Sequence, residues 1–136
     1  MYIKSTVFAT VLSLGMVGGV PALAQGGGDN DVGEQSFKAY CANCHGESAT
    51  GDGPLSKLLT VDVADITQLT ANNDGVFPML DVIHVIDGRS GLRGHEGPMP
   101  VYGEYFSSDD YGPYGSETVV RGRMLSIALY LESIQK

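Results

Sequence analysis

The chain has 136 residues and sets 16 acidic side chains against 8 basic ones, a formal net charge of −8. That balance excludes nucleic acid as a partner, because phosphate binding needs clustered lysine and arginine. It leaves two roles for the charge: solubility, or steering toward a protein with a basic docking patch.

The first 24 residues read as a secretory signal peptide. Lys4 supplies a positive start, Thr6 to Val20 form a short apolar run, and Ala22-Leu23-Ala24 is a small-residue cleavage pattern. The run falls short of the roughly 20 residues of a membrane span and is broken by Gly15, Gly18 and Gly19, so no permanent membrane anchor is expected. The mature chain is expected to begin at Gln25, with no cysteine there to take a lipid, and to reside in the periplasm. Loss of Lys4 moves the formal charge from −8 to −9. Residues 25–31 form a polar, glycine-rich leader, and residues 32–136 have the length of one small domain.

From there the spacing predicts an all-α chain. Val32 to Cys44 places Gly33, Phe37, Tyr40, Cys41 and Cys44 along one side of an amphipathic helix, with Glu34 and Lys38 off it. Gly46, Gly51, Gly53 and Pro54 mark a loop, and Leu55 to Leu59 a short helical turn. Asp65 caps a second short helix through about Asn72. Pro78 opens and Gly88 closes a helix whose apolar stripe is Met79, Val82, Ile83 and Ile86, with His84 opposite. Asp109, Asp110, Tyr111 and Tyr114 sit among Gly112, Pro113 and Gly115 and read as an exposed loop. Ser116 caps a long closing helix in which Val120, Met124, Ile127, Leu131 and Ile134 recur at threes and fours.

Chemistry concentrates at Cys41-Ala42-Asn43-Cys44-His45, two thiols three residues apart followed at once by a histidine. This is the attachment motif of a c-type haem. On one helical turn the thiols project from one side and His45, four after Cys41, falls near that face. Each thiol can then form a thioether with a vinyl group while the imidazole reaches the iron. A zinc site would want two further ligands at short spacing, and His84 and His95 are distant from each other with no third cysteine in the chain. A thioredoxin-type pair would sit on a βαβ pattern, which is absent, and a disulfide across so tight a loop would be strained. Export fits haem as well, since an oxidising compartment drives two lone thiols toward a disulfide unless thioethers occupy them.

With Gly53-Pro54-Leu55, Met99-Pro100-Val101-Tyr102-Gly103 and Leu129-Tyr130-Leu131, this motif resembles the class I bacterial cytochromes c, small proteins that carry single electrons. The resemblance runs from about Gly33 to Ser133. It implies short helices wrapped around one covalently attached haem, with the first and last helices crossing where Gly33 permits close approach and Phe37 packs near Tyr130. It implies His45 and Met99 as the two iron ligands, the Pro54 carbonyl as acceptor for the His45 ring N–H, and Tyr102 as a partner of a haem propionate. Tyr102 stands where tryptophan is more familiar.

Pro98 and Pro100 restrict the backbone on either side of Met99 and lower the entropy cost of presenting its thioether at a fixed place. His95 is the rival ligand in the same loop, while Met79 and Met124 fall on apolar stripes and read as core. Arg89, Arg93 and Tyr105 are further candidates for the propionates, against an ordinary solvated role for the two arginines. A closed six-coordinate iron has no position for substrate. The expected function is therefore electron carriage between donor and acceptor proteins by a monomer with one haem c, not catalysis. The competing expectations are a haem enzyme or gas sensor with a labile sixth ligand, and a subunit docked to an oxidase or dehydrogenase.

Overall fold

The computed structural model describes residues 29–89, 98–107 and 116–136. The segment expected to be a signal peptide, most of the expected leader, Arg93, His95 and the expected loop around Tyr111 lie outside the described residues. Among the described residues the chain is all-α, with five helices and no strand.

Helix α1 (Asp29–Tyr40) begins inside the segment expected to be leader and stops short of the expected Cys44. Asp31 and Glu34 near its start suit the positive end of the helix dipole, and Lys38 closes an i,i+4 pair with Glu34 at 2.6 Å. The chain bends at Cys41 (φ −111°, ψ −34°) and resumes as the single turn α2 (Ala42–His45). Helix α3 (Met79–Asp87) follows the expected limits, with Gly88 in the left-handed region (φ 70°) returning its N–H to the His84 carbonyl. Val82 and Ile86 are buried, Met79 and Ile83 pack against the core, and His84 is exposed. Helix α5 (Ser116–Ser133) buries Val120, Met124, Ile127 and Leu131, the expected stripe. Ser116 is its first residue rather than a residue outside it, a one-position difference.

Two expectations fail. Helix α4 (Tyr102–Ser107) stands where no helix was predicted, with Tyr102 and Phe106 buried and Glu104 and Tyr105 exposed. Six residues are too few for periodicity to declare itself, and packing on neighbours stabilises what propensity alone does not. Conversely, the helix expected from Asp65 to Asn72 is one 3-10 turn, Ile66–Gln68. Asp65 caps it as anticipated, accepting from the Thr67 amide at 2.9 Å and the Thr67 hydroxyl at 2.6 Å. Beyond that turn, the side chain of Gln135 takes the backbone groups a helix would use.

The organising contact is the crossing of α1 and α5. Gly33 is buried against the Ser126 carbonyl so closely that an added Cβ would lie 2.1 Å from that oxygen and 2.8 Å from the Tyr130 Cβ. Phe37, with no exposed surface, then meets the Tyr130 ring at 5.4 Å between centroids. No helix among the described residues is long and apolar enough to cross a membrane.

Arg89 fastens the end of α3 to the start of α5. Its guanidinium bonds both oxygens of Asp87 (2.5 and 3.0 Å) and both of Glu117 (3.0 and 3.2 Å). The Arg89 hydrogen bonds hold both carboxyls below their ordinary values, with Arg121 assisting at Glu117. A carboxyl depressed in the folded state contributes stability that is complete above the ordinary carboxylate range and is lost as pH falls through the depressed value. Arg89→Ala is therefore expected to lower the melting temperature by roughly 5 °C at neutral pH. In acid below the depressed values it should change little, as thermal melts across that range will show.

Candidate functional site

The five-residue motif folds as a helical turn. The amides of Cys44 and His45 both donate to the Cys41 carbonyl (3.1 and 3.0 Å), and Gly46 donates to Ala42 (2.8 Å). The loop after it folds back to satisfy the carbonyls left open at the end of the turn. Leu55 donates to Asn43 (2.9 Å), Gly53 to Cys44 (3.1 Å) and Gly51 to His45 (2.8 Å). Gly53 is pressed so near the turn that a Cβ would lie 2.5 Å from the Asn43 carbonyl oxygen.

This arrangement turns Cys41, Cys44 and His45 into one open cavity of about 690 Å³, whose walls include Met99, Tyr102 and Tyr40. A second open cavity of about 550 Å³ is walled mainly by apolar side chains, among them Ile66, Leu69, Val82, Ile86 and Leu131. His45 and Met99 line both cavities, so an imidazole and a thioether more than fifty residues apart in sequence bound the same space. Pro98 and Pro100, on either side of Met99, are also in the first cavity's wall.

Burial pushes the Cys41 thiol up to about 12, with Cys44 adding to the effect. Cys41 is therefore a protonated thiol at neutral pH. Burial lowers His45, against the opposing pull of the Ala64 carbonyl, and favours the neutral imidazole that binds metals.

Ala64 corrects one expectation. The oxygen facing His45 Nδ1, at 3.4 Å, is the Ala64 carbonyl and not that of Pro54. Pro54 is exposed and lines neither cavity, because its loop is turned toward the end of α2 by the Gly53 and Leu55 amides. With Ala64 as acceptor, Nδ1 carries the proton and Nε2 is left as the donor atom to a metal.

Tyr102 corrects another. It lies in the cavity wall as expected, but its hydroxyl donates to the Tyr40 carbonyl at 2.5 Å, so its single proton is not available for a carboxylate. That bond joins α4 to the end of α1 just before the motif. Tyr40, Tyr102, Tyr105 and Phe106 pack ring to ring at 5.0–6.5 Å, and the Arg123 guanidinium lies 4.8 Å from the Phe106 ring centroid. Arg89, engaged with Asp87 and Glu117, is likewise not a propionate partner in this arrangement. Met124 is core, 1% exposed, and Met79 lines neither cavity.

The residues present could hold a haem of c type. Two thiols on one turn, a neutral imidazole with an oriented ring, a thioether shared by both cavities and largely apolar walls are the donor and packing set such a group needs. Sequence reasoning missed Ala64, and missed Ile66, Leu69 and Leu131 as cavity wall. Leu131 was visible only as core stripe, and nothing local distinguishes an alanine carbonyl. Compared with known proteins, the chain matches no family model, no curated protein and no solved structure.

Proposed function

We propose that this chain is an exported cytochrome c with one haem, carrying single electrons between periplasmic redox proteins. The observation that carries the reading is the meeting of Cys41, Cys44, His45 and Met99 on one apolar cavity. When bound there, the haem supplies reversible one-electron chemistry at iron. The chain's own residues do the rest. Cys41 and Cys44 are positioned to anchor the group from one side. Ala64 orients the imidazole of His45 and raises its basicity. Pro98 and Pro100 restrict the backbone that presents the Met99 sulfur, and the walls of the second cavity offer mainly apolar side chains to the group. The His45 nitrogen and the Met99 sulfur would both serve as donors to the iron, which would favour electron exchange with little rearrangement over substrate chemistry. The class I arrangement of helices belongs to the same proposal, supported by the α1–α5 crossing at Gly33.

The acidic balance supports partners with basic docking patches, whose association rates fall with salt. An optical and redox titration of the purified mature protein tests the reading. The expected result is haem that stays with the polypeptide in acidified organic solvent, a single one-electron wave and an oxidised spectrum with a thioether-to-iron charge-transfer band. Haem-free protein, or oxidised haem lacking that band, overturns it.

A further inference from the structure

The carboxamide of Gln135, the penultimate residue, is inserted into the segment that should have been a helix. Its Oε1 accepts from the Thr70 amide at 2.9 Å, and its Nε2 donates to the Ile66 carbonyl at 2.9 Å and the Leu131 carbonyl at 2.8 Å. In an α-helix the Thr70 N–H and the Ile66 C=O would bond to each other. Gln135 takes both. The Lys136 amide likewise donates to the Thr67 carbonyl at 3.0 Å, the group an Ala71 amide would occupy in a helix. Just past the clamp, Asn72 donates to the Gln68 carbonyl at 2.9 Å in the helical pattern, so the local preference to wind is present.

The clamped segment matters because of what it carries. Ala64, whose carbonyl faces His45 Nδ1, directly precedes the Asp65 cap, and Ile66 and Leu69 wall the second cavity. The Ile66 amide is also tied to the Ala49 carbonyl at 3.0 Å, next to the motif's loop. Continuing the 3-10 turn at 66–68 as an α-helix through residue 70 would change the rise from about 2.0 Å toward 1.5 Å per residue and shift both ends.

We propose that Gln135 is a positioning residue for the redox site: by taking the Thr70 amide and the Ile66 carbonyl it keeps residues 66–68 a single 3-10 turn, and so keeps the Ala64 carbonyl on the His45 ring and the apolar wall in place. The proposal rests on the haem reading above. A weakened Nδ1–H contact makes the imidazole less basic, stabilises oxidised iron less and raises the midpoint potential. Gln135 thus sets the potential from the far end of the chain.

The test compares wild-type holoprotein with Gln135→Ala and Gln135→Met, the second keeping the side chain's length without its hydrogen bonds. Phe37→Leu is the control, since it loosens the α1–α5 crossing and lines neither cavity. Both Gln135 variants are expected to show Cα chemical shifts at 66–70 moving toward helical values, exchange of the His45 Nδ1 proton about tenfold faster, and an upward shift in midpoint potential. Phe37→Leu is expected to lose thermal stability with the potential unmoved. Unchanged shifts, exchange and potential in the Gln135 variants overturn the proposal, as does an equal shift of potential in Phe37→Leu, which would assign the effect to stability alone. A wild-type protein without covalent haem overturns the electron-carrier reading instead, and the shifts at 66–70 with the imidazole proton still decide the clamp.

Discussion

Met99→Ala is expected to change a protein that resists carbon monoxide into one that binds it rapidly, one molecule per haem in the reduced state, and to lower the midpoint potential. Met99 and His45 are both common to the two cavities, which places a soft neutral sulfur donor against the same space as the imidazole. A thioether favours reduced iron relative to nitrogen or thiolate donors, and axial ligation moves haem potentials over roughly 0.8 V. Removing the sulfur leaves a methyl group that cannot reach or donate, so water or added carbon monoxide takes the position. Rapid-mixing spectroscopy and a redox titration read both effects. If neither carbon monoxide binding nor potential changes, the sixth ligand is another group, and His95 is the first to replace.

Gly33→Val is expected to cost most of the fold's stability, with a fall in melting temperature of roughly 15–25 °C if the holoprotein assembles at all. The nearest obstacle to its Cβ is the main-chain carbonyl of Ser126, at 2.1 Å, not the end of a side chain that could swing away. The helices must separate, and Phe37 then loses its contact with Tyr130. Overpacking costs about 1–3 kcal/mol and part of a buried aromatic pair adds a similar amount. Small domains have only about 5–15 kcal/mol in total. Trimming the ring, as in Gly33→Val with Tyr130→Ala, should not restore stability, because the Ser126 oxygen and the Cβ of residue 130 both remain. Thermal melts of the two variants check this; rescue by Tyr130→Ala would relocate the clash to the side chain.

Where one segment's own pattern was enough, the sequence reading agrees with the structure. Met79, Val82, Ile83 and Ile86 form a stripe because their spacing alone puts them on one side of α3, and Gly88 closes it because a left-handed residue ends a helix wherever it stands. The motif turn is legible for the same reason: Cys41, Cys44 and His45 lie within one helical turn of each other, so a common face follows from chain geometry. The failures share the opposite cause. The resemblance implies the Pro54 carbonyl for His45, whereas the carbonyl that faces the ring is that of Ala64, 19 residues away and without a local mark. Tyr102 was read as a propionate donor when its hydroxyl reaches Tyr40, 62 residues away.

The α3 and α5 stripes and the Cys41–His45 turn therefore follow from the amino-acid order, since periodicity and motif spacing act over a handful of residues. The three-dimensional arrangement alone decided which carbonyl orients the imidazole and where the α1–α2 bend falls. It also decided that Gln135, 65 residues from Thr70, would accept the Thr70 amide hydrogen bond. The physical reason is competition. Each backbone N–H and C=O can be satisfied by a near neighbour or by a distant side chain, and only the folded chain brings the distant partner close enough to win.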